Sequence, residues 1–328
     1  MKKNTFIFIL LSLIIGFLAI FSTKVFHTYH PRPSVGKNVH YALINPLLKY
    51  MKFKEIKPFK DKMEELIKKE KDAGLASDIA VYFRSLAGGI WMGIDEKKEF
   101  APASVLKIPI MLTYYRLAEK NPDILNKKIK YIRGNISYVS GVPIESSAET
   151  GRDYSVDELI GLLITESDNA ADKLLCDNLP PGELDKTFAD FGINLAGVSP
   201  KGEFASLKIC AGFLRVLYNA SYLNEAFSEK ALRYLEKSKY RDGIVAGLPN
   251  NVAVVHKFGE RFYANTGEKQ LHEFGIIYYP NNPYILGVMV RGKDYDSMSR
   301  VIKDISELIY KEVDAQYKGS DGKFSEDS

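Results

Sequence analysis

A serine three residues ahead of a lysine, Ser104 and Lys107 in Ala103-Ser104-Val105-Leu106-Lys107, is a pairing that can make a nucleophile. A serine hydroxyl in water is a weak nucleophile and needs a base beside it. Residues i and i+3 share a helix face, so Lys107 would stand one turn from the Ser104 hydroxyl. A lysine kept partly neutral by burial and neighbouring cations can take the proton. Pro102 suits a helix start, whose partial charge of about +0.5 favours a developing anion. Alone the pattern is weak, because Ser34/Lys37 and Ser320/Lys323 repeat it in polar flanking sequence.

Two further groups carry polar side chains at the ends of apolar segments. Ser167-Asp168-Asn169 follows Leu162-Leu163-Ile164-Thr165-Glu166. On its own it reads as a helix terminus and the N-cap of the next helix, since Ser, Asp and Asn all favour caps. His256-Lys257-Phe258-Gly259-Glu260 closes an apolar stretch. On its own it reads as a strand edge protected by a charge.

The elements that must position these groups follow from periodicity. Phe59, Met63, Leu66 and Ile67 mark an early helix. Asp78–Ser85 and Gly89–Ile94 read as strands joined by a turn at Leu86–Gly89. From about 103 to 240 the chain reads as mostly helical, and Ser155 with Glu158 fits a capping box opening the helix Val156–Ile164. Phe204-Ala205-Ser206-Leu207 reads as the start of another helix, with Glu203 against its first turn. Strand character returns in Val252–Lys257, Phe274–Tyr279 and Tyr284–Val290. The last helix carries Met298, Val301, Ile302, Ile305, Leu308, Ile309 and Val313 on one stripe. Strands at both ends around a helical middle predict an α+β fold, one antiparallel sheet of about five strands flanked by helices with an all-helical lobe. The cleft between lobe and sheet is the natural place for a site.

Composition narrows the partners. The 328 residues, 46% apolar and 26% charged, are ordinary for a globular protein. The net charge of +4 is spread along the chain, which argues against nucleic acid as the main partner. Scattered His and two Cys make no metal-ligand pattern, and neither a nucleotide loop nor a cofactor motif is present. Cys176 and Cys210 are expected to be two buried free thiols, with one bridge as the alternative. Lys2 and Lys3 precede an uncharged run from Thr5 to Thr23. As a helix it would span roughly 28 Å, close to a hydrocarbon core. It reads as an N-terminal membrane anchor over 1–23, with a cleaved signal peptide as the alternative. Residues 24–55 read as a tether, 56–316 as the catalytic domain, exported from the cytoplasm, and 317–328 as a disordered tail.

In order, Ser-x-x-Lys on a helix start, Ser-Asp-Asn after a helix and Lys-x-Gly on a strand make a set that resembles class A β-lactamases and penicillin-binding serine hydrolases. The surroundings are similar too, from Tyr154-Ser155-Val156-Asp157-Glu158-Leu159 through Ala171, and in Gly275-Ile276-Ile277 with Ile285–Val290. The resemblance covers roughly 57 to 316. It implies that Ser104 attacks a carbonyl carbon and that Lys107 takes or relays its proton. Ser167 would protonate the leaving nitrogen, Asn169 would bind the substrate amide, and Asp168 would brace the loop. Lys257, beside Gly259, would attract a substrate carboxylate. The backbone N–H groups of Ser104 and Glu260 would form the oxyanion hole.

Two departures bear on turnover. Phe258 stands where the family has Thr or Ser. The family's Glu-x-x-Leu-Asn loop, whose Glu hydrolyses the acyl-enzyme, is missing; Glu203 and Glu166 are the nearby carboxylates. Phe274 also replaces the family's Arg before Gly275. The resemblance therefore implies an acyl-enzyme former acting on β-lactams or D-alanyl peptides, β-lactamase-like with slow hydrolysis. The alternatives are a penicillin-binding D-alanyl peptidase or transpeptidase of the cell wall, and a non-enzymatic acyl-binding receptor or inactive relative.

Overall fold

The computed structural model describes residues 43–44, 58–132, 146–195 and 202–318. The run 5–23, all of 24–55 except 43–44, and the residues beyond 318 lie outside the described residues, so the anchor and the two repeated Ser-x-x-Lys patterns do too; of the tail expected over 317–328, Tyr317 and Lys318 instead end the last helix, and the rest is not described.

One antiparallel sheet organises the described chain. Its strands are β1 (Asp78–Ser85), β2 (Trp91–Ile94), β7 (Val254–Tyr263), β8 (Glu268–Ile277) and β9 (Tyr284–Gly292), in the order β2-β1-β9-β8-β7. The sheet is buried on both faces, so its strands alternate between two cores rather than between core and water. Ala80 and Tyr82 of β1 pack on one side; Ile79, Val81 and Phe83 pack on the other. The second side is covered by α1 (Lys60–Asp72) and by the final helix α8 (Tyr295–Lys318). In α8, Met298, Val301, Ile302, Ile305, Ile309 and Val313 are fully buried, while Leu308 sits at the margin of the stripe. Each fully buried Val, Leu or Ile contributes about 1.5–3 kcal/mol.

The first side carries the helical lobe. It contains α2 (Lys107–Ala118), α3 (Val156–Thr165), α4 (Asn169–Asn178), α5 (Glu183–Asp190), α6 (Leu207–Tyr218) and α7 (Glu225–Glu236). The capping box at the start of α3 is present: Glu158 N–H donates to Ser155 Oγ at 3.1 Å and Ser155 N–H to Glu158 Oε2 at 2.7 Å. Two short ribbons tie the lobe down. The strand β3 (Glu99–Phe100) pairs with β6 (Ala205–Ser206), and β4 (Lys128–Lys130) with β5 (Asp153–Ser155).

Several boundaries differ from the sequence expectations. The strand expected over Val252–Lys257 is β7, which runs on to Tyr263, and the one expected over Phe274–Tyr279 is β8, which begins at Glu268. Beyond Lys257 the hairpin is polar and partly exposed, so its apolar signal fades while its ladder continues through Tyr263 opposite Glu268. The strand expected from Gly89 begins at Trp91, because Gly89, at φ +73°, closes the turn to Ser85. The helix expected around Phe204–Leu207 starts at Leu207, and Ala205 and Ser206 pair with β3 instead, which removes Glu203 from any helix turn. Cys210 is a buried free thiol, but Cys176 is exposed on α4, a correction to the expected pair of buried thiols.

Leu43 and Ile44 are buried. Their amides donate to Glu229 Oε2 at 2.9 and 3.3 Å, and the Tyr278 hydroxyl donates to Leu43 O at 2.9 Å.

Candidate active site

Ser104 lies in a 3-10 turn, Ala103–Leu106, that runs directly into α2 at Lys107. A 3-10 turn has three residues per turn, so side chains at i and i+3 eclipse; Ser104 and Lys107 therefore leave the backbone on one side. The turn is strained at its start, with Ala103 at φ +48°. A non-glycine residue in that region costs about 1–3 kcal/mol and persists only where its surroundings enforce it.

Lys107 is buried and points at the link between α3 and α4. Its ammonium donates to Asn169 Oδ1 at 2.7 Å, to Ser167 Oγ at 3.3 Å and to the Ser167 carbonyl. Ser167 also adopts a left-handed conformation, φ +56°. The Asp168 carboxylate holds it there as the N-cap of α4. It accepts from Ala171 N–H (2.8 Å), Ser147 N–H (2.8 Å), the Ser146 hydroxyl (2.7 Å) and the Ser147 hydroxyl (3.2 Å). Capping and bracing thus coincide in one side chain.

The third side of the site is β7, the edge strand of the sheet. Lys257 is fully buried, and its ammonium donates to Ser167 Oγ and to the Phe258 carbonyl, each at 2.9 Å. Ser167 Oγ is therefore shared by two lysines. Gly259 faces the nucleophile turn: a Cβ there would lie 3.0 Å from both the Pro102 carbonyl and the Ser104 nitrogen. Only a residue without a side chain lets the strand come so close. Glu260 follows with an exposed side chain, and its backbone continues along the same edge. The Phe258 ring stacks on Tyr240 at 4.4 Å between centroids, and the Lys257 ammonium sits 4.5 Å from its ring centre. Phe274, where the family has Arg, is fully buried opposite Lys257 in the ladder.

Burial sets the electrostatics. It pulls Lys107 down to about 8, against the opposing pull of Asp172, Asp168, Cys176 and Glu260. Burial also holds Lys257 well below the usual lysine range, with the Lys107 charge acting in the same direction. A lysine at about 8 is neutral for roughly one molecule in ten near pH 7, and that fraction can accept a proton. Asp172 is a member of this cluster that motif reading missed. It lies one helical turn beyond Asn169 on α4, and burial raises its carboxyl above the ordinary range while Lys107 pulls it down. The i, i+3 spacing from Asn169 was the signal in the sequence.

Ser104, Lys107, Ser167, Asn169, Lys257 and Gly259 thus come together where the start of α2, the α3–α4 link and β7 meet. Glu166 and Glu203 are engaged elsewhere. Glu166 pairs with Lys239 at 2.7 Å at the end of α3. Glu203 accepts from Gln270 Nε2 at 2.8 Å and pairs with Arg291 at 3.0 Å. Among the described residues, no cluster of His, Cys, Asp and Glu could hold a metal ion, and no helix is long and apolar enough to cross a membrane.

The model of the beta-lactamase enzyme family matches residues 58–313. The structure of PBP-A is similar over 80% of this chain and 99% of its own, at 19% identity and a TM-score of 0.66. A mutant of PBP-A, solved as an acyl-enzyme complex with penicillin G, is similar to the same extent. A beta-lactamase from Xanthomonas campestris pv. campestris is similar over 77% of this chain and 98% of its own (19% identity, TM-score 0.65). An ancestral class A beta-lactamase is similar over 76% and 98% (21% identity, TM-score 0.64). No curated relative matches the chain. At these identities the structural likenesses establish the fold.

Proposed function

This chain belongs to the beta-lactamase enzyme family, and from that premise we propose that it is a serine hydrolase acylated at Ser104 by β-lactams, with slow release of the product. The observation that carries the reading is the Ser167 hydroxyl held between the Lys107 and Lys257 ammonium groups, 3.3 and 2.9 Å away. Ser104 attacks the carbonyl carbon while neutral Lys107 takes its proton. The tetrahedral oxyanion is met by the N–H groups of Ser104 and of Glu260, the residue after Gly259, which packs against the Ser104 nitrogen. The proton passes from Lys107 through Ser167 to the departing nitrogen, whose bond to the acyl carbon breaks. Lys257 attracts the substrate carboxylate, and Asn169 binds its amide side chain.

A second reading, a penicillin-binding enzyme acting on D-alanyl peptides, is favoured by the ion pairs of Glu166 with Lys239 and of Glu203 with Arg291. Each satisfies a carboxylate that hydrolysis of the acyl-enzyme would need as a base. We further propose that the chain works outside the cytoplasm, held by the apolar run 5–23. The test of the nucleophile is Ser104→Ala. It should abolish covalent labelling by benzylpenicillin while leaving thermal unfolding unchanged, and labelling that persists at another residue would overturn the assignment.

A further inference from the structure

Two β8 residues hold both backbone polar atoms of Ala101, the residue from which the nucleophile turn departs. Ala101 N–H donates to Gln270 Oε1 at 3.2 Å, and His272 Nε2 meets the Ala101 carbonyl at 3.0 Å. Gln270 and His272 are fully buried. Burial drives the His272 pKa down to about 3, so its ring is neutral and Nε2 carries the proton it donates. His272 lies directly opposite Gly259 in the β7–β8 ladder, and Gly259 is the residue that touches Ser104. One hairpin therefore fixes both ends of the turn, Ala101 from β8 and Ser104 from β7, around the strained Ala103.

The Gln270 amide can serve Ala101 in one orientation only. Its oxygen must face the Ala101 N–H, which sends its NH2 group the other way. An amide is nearly symmetric in shape, so its partners decide which way it points. Glu203 is that partner: an ionised carboxylate only accepts, and Glu203 Oε1 takes the Gln270 Nε2–H at 2.8 Å. Arg291 keeps Glu203 in place and also donates to the Glu99 carbonyl, both at 3.0 Å. The neighbouring Phe204 N–H binds the Phe100 carbonyl at 3.1 Å.

We infer that Glu203 is a positioning residue for the nucleophile: it orients Gln270, and Gln270 with His272 anchors Ala101 so that the strained turn presents Ser104 against Gly259. This rests on the reading of Ser104 as the nucleophile. It gives Glu203 a part in acylation in place of one in hydrolysing the acyl-enzyme.

The experiment compares the full chain with Glu203→Ala and Glu203→Gln by two readouts. Amide hydrogen exchange at Ala101 reports the anchor with no substrate. Benzylpenicillin reports the rate of acylation and, separately, the lifetime of the adduct. In Glu203→Ala, Ala101 exchange should rise about tenfold or more and acylation should slow by about 10- to 100-fold, with adduct lifetime unchanged. Glu203→Gln, which still offers an acceptor oxygen, should restore Ala101 protection and most of the acylation rate. Unchanged Ala101 exchange in Glu203→Ala would overturn the inference. So would a longer adduct lifetime in Glu203→Gln, the mark of a lost base, and this variant decides the matter if Glu203→Ala does not fold. A wild-type chain that never reacts with benzylpenicillin would refute the proposed function, while Ala101 exchange would still decide the anchor.

Discussion

The Ser167 hydroxyl accepts a hydrogen bond from the Lys257 ammonium at 2.9 Å, joining the link between α3 and α4 to the edge strand of the sheet. With Lys107 on its other side at 3.3 Å, this hydroxyl ties the start of α2 to both the α3–α4 link and the sheet. In the proposed mechanism a proton leaving Lys107 passes through it toward a substrate bound along β7.

Removing that hydroxyl should therefore slow acylation without unfolding the protein. Ser167→Ala is expected to lower the second-order rate of benzylpenicillin labelling by about 100-fold or more. Stopped-flow labelling checks the rate, and thermal unfolding checks the fold. A rate within twofold of wild type would remove Ser167 from the proton path.

The approach of Gly259 to Ser104 makes a steric prediction. A Cβ at 3.0 Å from Pro102 O and Ser104 N must push strand and turn apart, because both neighbours are backbone atoms. Gly259→Ala should reduce acylation by roughly 100-fold. The labelling rate of the purified variant measures this, with circular dichroism unchanged.

The pH dependence follows from Lys107, whose pKa burial lowers to about 8. In the proposed mechanism the neutral amine is the base, so acylation should rise with pH through about 8 and level off above it. Asp172 favours the charged form of Lys107. Asp172→Asn removes that carboxylate and should move the rising limb to lower pH by about one unit. Labelling rates between pH 5 and pH 10 for both chains test the sign.

His272 makes stability acid-sensitive. Its folded pKa, about 3, lies below the ordinary 6.5 because burial disfavours the charged ring. Between those values the unfolded chain binds the proton and the folded chain does not, so stability falls as pH drops below about 6.5. This group alone contributes a slope of at most about 1.4 kcal/mol per pH unit. Urea unfolding at pH 7.5, 5.5 and 4.5 measures it, and His272→Gln should flatten the slope.

Much of this was legible in the sequence, for identifiable reasons. The strand Asp78–Ser85, the capping box at Ser155 and Glu158 and the stripe of α8 are local patterns, and the structure contains each of them. The three motif groups could be found because each sits at the end of an apolar element. The outer half of the β7–β8 hairpin was missed because Glu260–Gln270 has a polar, partly exposed surface. Its Asn265-Thr266-Gly267 turn, with Gly267 at φ +70°, was the available signal. The surroundings of Glu203 could not be read at all. Its partners Gln270 and Arg291 lie far along the chain, and only the antiparallel order β9-β8-β7 brings them to it.

The central claim, an acyl-enzyme on Ser104 that persists, is tested most directly by intact mass spectrometry of the chain mixed with benzylpenicillin and followed over time, with peptide mapping of the adduct. The account predicts one added penicilloyl group, located on Ser104 and lost slowly. An adduct on another residue, or none at any time with a folded chain, would contradict it.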